Sequence, residues 1–470
     1  MSQQLRLRRP DDWHLHLRDG AALRAVLPFT AARFARAIVM PNLAPPITTT
    51  ALALAYRERI LAALPAGAKF QPLMTLYLTD HTSAAEIERA HASGAIFGCK
   101  LYPAGATTHS DAGVTDIAHL EPALAAMTTL DLPLLVHGEV TDPQVDVFDR
   151  EARFIERVLA PLAQRWSALR IVFEHVTTRA AVDFVRSARR GVAATVTPQH
   201  LMHNRNALFA GGLRPHLYCL PVLKTEDDRR ALLEVLAAGD ARFFLGTDSA
   251  PHARAAKESA CGCAGIFSAH AAIELYAEIF EAEGMLARLQ GFACEFGADF
   301  YRLPRNQDEI TLLREPWSPP ASYPFDHGQL VPLRAGEPIE PQIERRRRAR
   351  RAALFGDAGR ARIVERANHV VARRKSGAGN AVGHHLGIAK DRRPGGKRLP
   401  RRCDDVAAEH DVLRRFDLTA GMNHADRDFG LFGRKSRQIG LGADNRERAL
   451  VNRRAVAQIG GALRHGCPRV

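Results

Sequence analysis

Two histidines near the amino terminus are the first residues whose types and spacing could do chemistry. His14 and His16 are two residues apart in the stretch DDWHLHLRDG, residues 11–20. In a β-strand such residues point to the same side, so both imidazoles would face one way. Imidazole nitrogens are common ligands of divalent metals. The stretch suggests a metal site at a strand end, although paired histidines are also compatible with ordinary hydrogen-bonded groups.

The elements that would position such a site are short apolar runs alternating with helix-like segments. Candidate strands end near His16 and lie at residues 36–42, 72–78, 98–103, 133–139, 170–176, 192–200 and 242–252. Candidate helices between them include residues 50–64, 84–94, 149–166 and 227–239. Eight strands that alternate with helices over about 300 residues predict an α/β fold, the (β/α)8 TIM barrel.

Polar residues follow the predicted strands at their carboxyl ends, where the active sites of TIM barrels are built. Besides the first two histidines, these residues are Asn42, Lys100, His137, His175 and Asp248. Four histidines and one aspartate exceed the needs of one tetrahedral zinc ion and suggest two metals with a bridging group. A protonated Lys100 would be repelled by two cations, so it must be neutral, modified or directed away.

Composition limits the class of protein. The chain has 470 residues, of which 46% are hydrophobic, and it contains no apolar run of the length that a transmembrane helix needs. Its first residues, MSQQLRLRRP, lack the apolar stretch of a signal peptide. Its seven cysteines are scattered and form no CxxC pair. We therefore expect a cytoplasmic enzyme that does not associate with a membrane.

The basic character of the chain is confined to its end. Residues 341–470 hold 27 Arg and 4 Lys against 13 acidic residues, a net charge of +18, whereas the whole chain carries +14. Residues 1–340 therefore carry −4 and form the predicted catalytic domain. We expect residues 341–470 to be an Arg-rich, largely disordered, non-catalytic extension. Binding of RNA by this extension is the less favoured alternative.

A set of motifs within residues 1–340 carries a family resemblance. They are, in order, DWHLHLRDG, AIVMPNLAPP, KLYPAGATT, LLVHGE, FEHVTT, RPHLYCLPVLK and FLGTDSAPHARAAKESACGCAG. Together they closely resemble the class II dihydroorotases of the amidohydrolase superfamily. This resemblance implies a homodimer that cyclises N-carbamoyl-L-aspartate reversibly to L-dihydroorotate with loss of water, a step of pyrimidine biosynthesis.

The resemblance also implies a binuclear zinc site bridged by a carboxylated lysine. CO₂ or bicarbonate would convert Lys100 to N6-carboxylysine. This modification replaces the positive charge, which two metal cations would repel, by a negative one. One zinc ion would be bound by His14, His16, Lys100 and Asp248, and the other by Lys100, His137 and His175. Asp248 would in addition act as the catalytic base and acid.

Substrate contacts follow from the same resemblance. Arg18, Asn42 and His252 would bind the α-carboxylate of the substrate, and backbone groups near Leu220 and Ala264 would read the pyrimidine edge. Thr107 and Thr108, in the loop PAGATTHSDAG at residues 103–113, would close over the substrate. The implied set of substrate-binding residues is His16, Arg18, Asn42, Thr107, Thr108, His137, Leu220, His252 and Ala264.

Several residues have simpler interpretations. Asn42 could close a turn, residues 103–113 could be an ordinary surface loop, and His252 and Arg254 could be solvated. Asp19 is expected to orient a ligand or to cap the next helix. The CGC at residues 261–263 is expected to be structural.

For the whole protein, two other classes remain open. One is another cyclic-amide hydrolase, such as a hydantoinase or an allantoinase. The other is a catalytically inactive barrel that serves as a partner in an assembly of pyrimidine enzymes. The motif residues count against both classes, because the predicted carboxylate-binding group argues against the first and the full set of metal ligands argues against the second.

Overall fold

The structure, a computed structural model, describes residues 4–260 and 262–343. The predicted basic extension therefore lies outside the described residues from position 344 onward. Residues 342–343 form a strand that pairs with an earlier one, so ordered chain continues slightly past the predicted boundary at 340. In the part of the chain that is described, no helix has the length and apolar character needed to cross a membrane.

Eight parallel strands form the centre of the molecule, in the order in which they occur along the chain. They are β2 (Asp11–Leu15), β3 (Arg36–Val39), β4 (Gln71–Tyr77), β5 (Ile96–Leu101), β6 (Leu134–Val136), β7 (Ile171–Phe173), β8 (Val192–Val196) and β9 (Phe243–Leu245). A parallel bridge between Leu15 and Ser249 links the first of these strands to the segment after the last. The predicted (β/α)8 barrel is confirmed.

Helices surround this barrel. They are α1 (Gly20–Arg33), α2 (Thr50–Ala62), α3 (Ala84–Ala92), α4 (Glu121–Thr129), α5 (Arg150–Phe154), α6 (Ala160–Arg165), α7 (Arg179–Ser187), α8 (Pro198–Met202), α9 (Glu226–Ala238), α10 (Arg254–Lys257), α11 (Ala272–Ala282) and α12 (Phe296–Phe300). One π-helical turn, Ile155–Leu159, joins α5 to α6, and another, Gly291–Glu295, precedes α12. The predicted helices at 50–64, 84–94, 149–166 and 227–239 are present.

The ends of these helices follow the sequence signals. The Asp19 side chain accepts a hydrogen bond from Gly20 N, so it caps α1, as one of its two predicted roles requires. Thr225 and Asp228 form a reciprocal capping box at the start of α9. Gly239 ends α9 with φ of 72°, a conformation that favours glycine. These local signals set where each helix begins and ends around the barrel.

Aromatic side chains close the barrel at the end opposite to the strand carboxyl termini. Trp13 stacks on Tyr301 with ring centroids 4.6 Å apart, and Phe244 packs edge-on against Trp13. Gly297 lies directly against the indole, and a side chain at this position would collide with it. All three aromatic residues belong to one buried cluster inside the barrel.

Two small antiparallel sheets lie outside the barrel. One contains β1 (Gln4–Arg8), β10 (Glu309–Leu313) and β13 (Gln342–Ile343), and the other contains β11 (Tyr323–Phe325) and β12 (Gly328–Leu330). None of these strands was predicted. The pairing of β1 with β10 joins residues that are far apart in the chain, so no local sequence pattern predicts it.

A buried ion pair joins two of the surrounding helices. Arg33 at the end of α1 donates from Nε and Nη2 to both carboxylate oxygens of Glu274 in α11, at 2.6–3.1 Å. Glu274 is fully buried and Arg33 nearly so. The two-pronged geometry is the strongest arrangement of such a pair.

We expect Glu274→Gln to lower the free energy of unfolding by about 3 kcal/mol, because it leaves the Arg33 charge buried without a partner. Urea denaturation of the full chain measures the change. Glu156→Gln, which breaks the exposed pair with Arg153, is the control and should cost less than about 1 kcal/mol. Equal effects of the two substitutions would contradict the role given to the buried pair.

Candidate active site

A small cavity at the carboxyl ends of the barrel strands brings most of the predicted site residues together. The predicted residues in its lining are His14, His16, Arg18, Asn42, Thr107, Thr108, His137, His175, Leu220, Asp248 and Ala264. Tyr102, Ala250 and Gly265, which were not predicted, complete the lining. Lys100 and His252 lie outside this lining but contact residues near it. The convergence expected of a TIM barrel is therefore present.

Three of these side chains form a group that could hold a metal ion. The ligand atoms of His14, His16 and Asp248 all lie within 4.8 Å of one another, and all three residues are buried. Asp248 Oδ1 is 3.4 Å from His14 Nε2 and 3.1 Å from His16 Nε2. Two imidazole nitrogens and a carboxylate oxygen that converge in this way are a typical donor set for zinc.

Protonation states in this group favour metal binding. Burial alone would raise the pKa of Asp248, but the close contact with His16 and the nearby basic groups outweigh it and lower the pKa to about 2. Burial lowers the pKa of His16 to about 4. At neutral pH Asp248 is therefore a carboxylate, and the imidazole of His16 can be neutral with a free lone pair.

Asn42 fixes the orientation of His16. Its Oδ1 lies 2.8 Å from His16 Nδ1, and its Nδ2 donates to Thr108 O at 3.2 Å. Because an amide oxygen only accepts hydrogen bonds, the proton of the neutral ring is assigned to Nδ1. This leaves His16 Nε2, the atom facing Asp248, available as a ligand.

A second group of possible ligands contains His14, Glu174 and His175, and Glu174 was not predicted. Glu174 Oε1 lies 3.1 Å from His14 Nδ1, and both residues are buried. Within the described chain, the buried Nδ1 of His175 has no hydrogen-bond partner. A buried polar atom without a partner is expected where a metal ion would bind. The ring centroids of His137 and His175 lie 4.8 Å apart. His137 Nε2 already has a partner, since it lies 3.0 Å from Glu139 Oε2.

Lys100 is completely buried, and its ammonium donates to Glu174. Burial lowers the pKa of Lys100, while the negative charge of Glu174 opposes that shift. Its Nζ also lies 4.9 Å from the centre of the Tyr102 ring. In its unmodified form Lys100 is therefore paired with Glu174, and its predicted sharing by the two metal sites stays a prediction.

Three site residues have left-handed backbone conformations that non-glycine residues rarely adopt. The φ angles are 57° for Arg18, 42° for His175 and 44° for Asp248. Neighbouring groups hold two of them, since His175 N donates to Thr195 Oγ1 at 2.7 Å and Asp248 N donates to His14 O at 2.9 Å. Such conformations concentrate where side chains must point in functionally required directions.

Arg18 and His252 form a second polar group at the edge of the cavity. Arg18 donates from Nη2 to His252 Nε2 at 2.9 Å and from Nε to Pro251 O at 3.1 Å. Burial and the Arg18 charge lower the pKa of His252 to about 2, so the imidazole is neutral. Tyr56 OH donates to the Arg18 carbonyl at 2.6 Å. The guanidinium is thus held in place at the cavity and could bind a carboxylate.

The loop at residues 103–113 closes the cavity from outside. Thr108 Oγ1 donates to Ala264 O at 3.4 Å, while Thr107 N donates to Ser110 Oγ at 2.8 Å and Ser110 Oγ donates to Thr107 O at 2.6 Å. Both threonines line the cavity.

Comparisons with known proteins agree with this geometry. The family model described as "Amidohydrolase family" matches residues 12–311. The dihydroorotase of Methylobacillus flagellatus is 64% identical over 344 residues, which are 73% of this chain and 100% of the relative. The fold and the site thus define an amidohydrolase.

Solved structures narrow the assignment further. Dihydroorotase from Campylobacter jejuni has a TM-score of 0.67 at 36% identity and covers 73% of this chain and 98% of its own. Dihydroorotase from Saccharomyces cerevisiae, in complex with 5-fluoroorotic acid, has a TM-score of 0.68 at 31% identity, with 73% and 99% covered. The chain belongs to the dihydroorotases of the amidohydrolase family.

We expect Asn42→Ala to weaken the binding of a divalent metal about tenfold, because His16 loses the partner that fixes its ring and its tautomer. Competition with a chromophoric zinc chelator measures this affinity. Asn204→Ala is the control, since Asn204 caps a short helical turn and does not line the cavity. An unchanged affinity of the Asn42 variant would contradict the orienting role.

Proposed function

We propose that the chain catalyses the reversible cyclisation of N-carbamoyl-L-aspartate to L-dihydroorotate in pyrimidine biosynthesis. The observation that carries the proposal is one buried cavity in which the group His14, His16 and Asp248 faces the guanidinium of Arg18. A cyclic amide that carries a carboxylate has the two features that such a cavity could hold. The names of the relatives and the pyrimidine carboxylic acid bound by the yeast enzyme support the same substrate class.

The donor set fits divalent metal ions. We propose that two zinc ions are bound, one by His14, His16 and Asp248, and the other by His137 and His175, with a carboxylated Lys100 shared between them. The unpartnered Nδ1 of His175 supports the fit. When bound, such ions supply Lewis acidity that polarises an amide carbonyl and makes water acidic enough to act as a nucleophile.

Carboxylation of Lys100 by CO₂ or bicarbonate would place a new negative charge beside Glu174. Two adjacent buried anions repel each other strongly unless cations lie close by. We therefore propose that Lys100 is carboxylated together with metal binding, whereas the unmodified ammonium pairs with Glu174. Only the neutral amine reacts with CO₂, and burial favours that form.

Asp248 is the residue of this chain that moves protons. In hydrolysis of dihydroorotate it accepts a proton from the attacking water and delivers it to the departing ring nitrogen. In cyclisation it removes a proton from the carbamoyl nitrogen of the open substrate and delivers it to the carboxyl oxygen that departs as water. Its low pKa of about 2 keeps it ionised at neutral pH, which is the form that can accept a proton.

The substrate is oriented by further groups in and beside the cavity. Arg18, with Asn42 and His252, binds the α-carboxylate, while backbone groups of Leu220 and Ala264 contact the ring. Thr107 and Thr108 donate hydrogen bonds from the closing loop. His16 and His137 face the substrate as well as the metal ions. Together these contacts would hold the reacting amide next to Asp248.

The substrate class is tested by assaying the metal-loaded full chain on dihydroorotate, carbamoyl aspartate and hydantoin side by side. We expect turnover of the first two and little of the third, because hydantoin lacks the carboxylate that Arg18 would bind. Faster turnover of hydantoin would favour the hydantoinase alternative. Absence of any turnover in protein with a full metal content would favour the inactive barrel.

We expect Asp248→Asn to reduce kcat at least about a thousandfold in both directions, because the amide cannot accept the proton. Asparagine also tolerates the left-handed backbone at this position, so the fold should persist. Steady-state kinetics measures the loss after the metal content of the variant has been equalised with that of the unmodified chain. A substantial kcat in this variant would contradict the role of Asp248 in proton transfer.

We expect Arg18→Lys to raise KM for carbamoyl aspartate about tenfold with a smaller change in kcat, because lysine keeps the charge but loses the planar fork. Arg59→Lys is the control. Arg59 pairs with Asp19 at the surface and does not line the cavity. An unchanged KM in the Arg18 variant would show that another group binds the carboxylate.

The homodimer that the resemblance implies and the cytoplasmic location that the composition predicts stay predictions, as do the order and role of residues 341–470. Light scattering of the full chain tests the first. Salt-dependent binding of RNA would favour the alternative role for the basic extension.

A further inference from the structure

Two backbone segments form part of the wall of the cavity. One contains Leu220, and the other contains Ala264 and Gly265. The segments contact each other directly, since Gly265 N donates to Tyr218 O at 3.0 Å. The Ala264 carbonyl also accepts hydrogen bonds from Thr108 Oγ1 and from His252. The orientation of this one peptide therefore affects the wall, the closing loop and the partner of Arg18.

A single buried lysine binds both segments. Lys257 is the last residue of α10, and only 4% of its surface is exposed. Its Nζ donates to Tyr218 O at 2.7 Å, to Cys263 O at 2.9 Å and to Gly265 O at 2.7 Å. Cys263 and Gly265 are the residues on either side of Ala264, so the ammonium holds the peptide from both sides.

The hydrogen-bonding capacity of this lysine is completely used. An ammonium has three N–H donors, and each of them meets a main-chain carbonyl. Among the described residues, no carboxylate forms an ion pair with Lys257. Burying an ammonium in this way costs more than burying an apolar side chain of similar length. The arrangement is therefore better explained by the geometry that it imposes than by stability.

We propose that Lys257 is a positioning residue that fixes segments 218–220 and 263–265 as one wall and thereby sets the affinity of the cavity for the substrate ring. The proposal rests on the proposed function for the identity of the ring. It also gives the CGC stretch a structural role at Cys263, as predicted, whereas Cys261 lies outside the described residues. Lys257 acts through the backbone and has no contact with the reacting atoms.

The test compares Lys257→Met with Lys224→Met in the metal-loaded full chain. Lys224 is a matched control, because it is equally buried and its Nζ donates to Val222 O, which does not line the cavity. We expect K257M to raise KM for dihydroorotate about tenfold and to change kcat less than about threefold, because loss of a charged hydrogen bond loosens a binding surface. K224M should leave KM within about twofold of the value for the unmodified chain.

Hydrogen exchange gives a second measurement that does not depend on turnover. Faster exchange is expected in K257M for peptides that cover residues 216–222 and 262–267, because the Gly265 amide reports whether the segments stay together. K224M should not show this change in the second peptide. If K257M does not fold, Lys257→Gln, which loses the charge but keeps polar atoms, is compared in the same way.

The outcomes separate the two proposals. Unchanged KM and unchanged exchange in a folded Lys257 variant would overturn the positioning role, and so would an equal rise of KM in K224M. A fall in kcat without a rise in KM would also overturn it. If the unmodified chain does not turn over dihydroorotate, the proposed function fails, and the exchange measurement still decides whether Lys257 holds the two segments.

Discussion

The whole site depends on placing a basic residue beside each buried carboxylate. Asp248 lies against His14 and His16, Glu174 against His14 and Lys100, and Glu139 against His137. A lone buried charge would cost several kcal/mol, so the acidic partners are as necessary as the basic groups. The same acids can balance the positive charge that a metal ion brings to this position.

Closure of the barrel brings these groups together. Asp12 in β2 accepts hydrogen bonds from Thr247 N and Thr247 Oγ1 at 2.9 and 2.6 Å and from His14 N at 3.2 Å. It therefore joins the first barrel strand to the residue that precedes Asp248. His14 and Asp248 come from opposite ends of the barrel sequence, and this contact fixes the distance between their side chains.

The sequence was sufficient to predict the eight barrel strands and most of the cavity lining, because apolar runs that end in polar residues are local patterns. Glu174 was missed for a physical reason. Strand alternation turns neighbours to opposite sides, but the left-handed backbone of His175 breaks that alternation, and both side chains reach the site. The role of Lys257 could not be predicted from the sequence either. Its partners are main-chain carbonyl oxygens, which every residue type has, so no sequence pattern marks them.

The aromatic stack of Trp13 and Tyr301 has a consequence for how small molecules reach the site. Because packed side chains fill the interior at that end, the barrel is not a channel, and the described cavity is approached from the side of the strand carboxyl ends. Reactant and product share this approach to the site, and since a catalyst accelerates both directions equally, their concentrations decide which way the reaction runs.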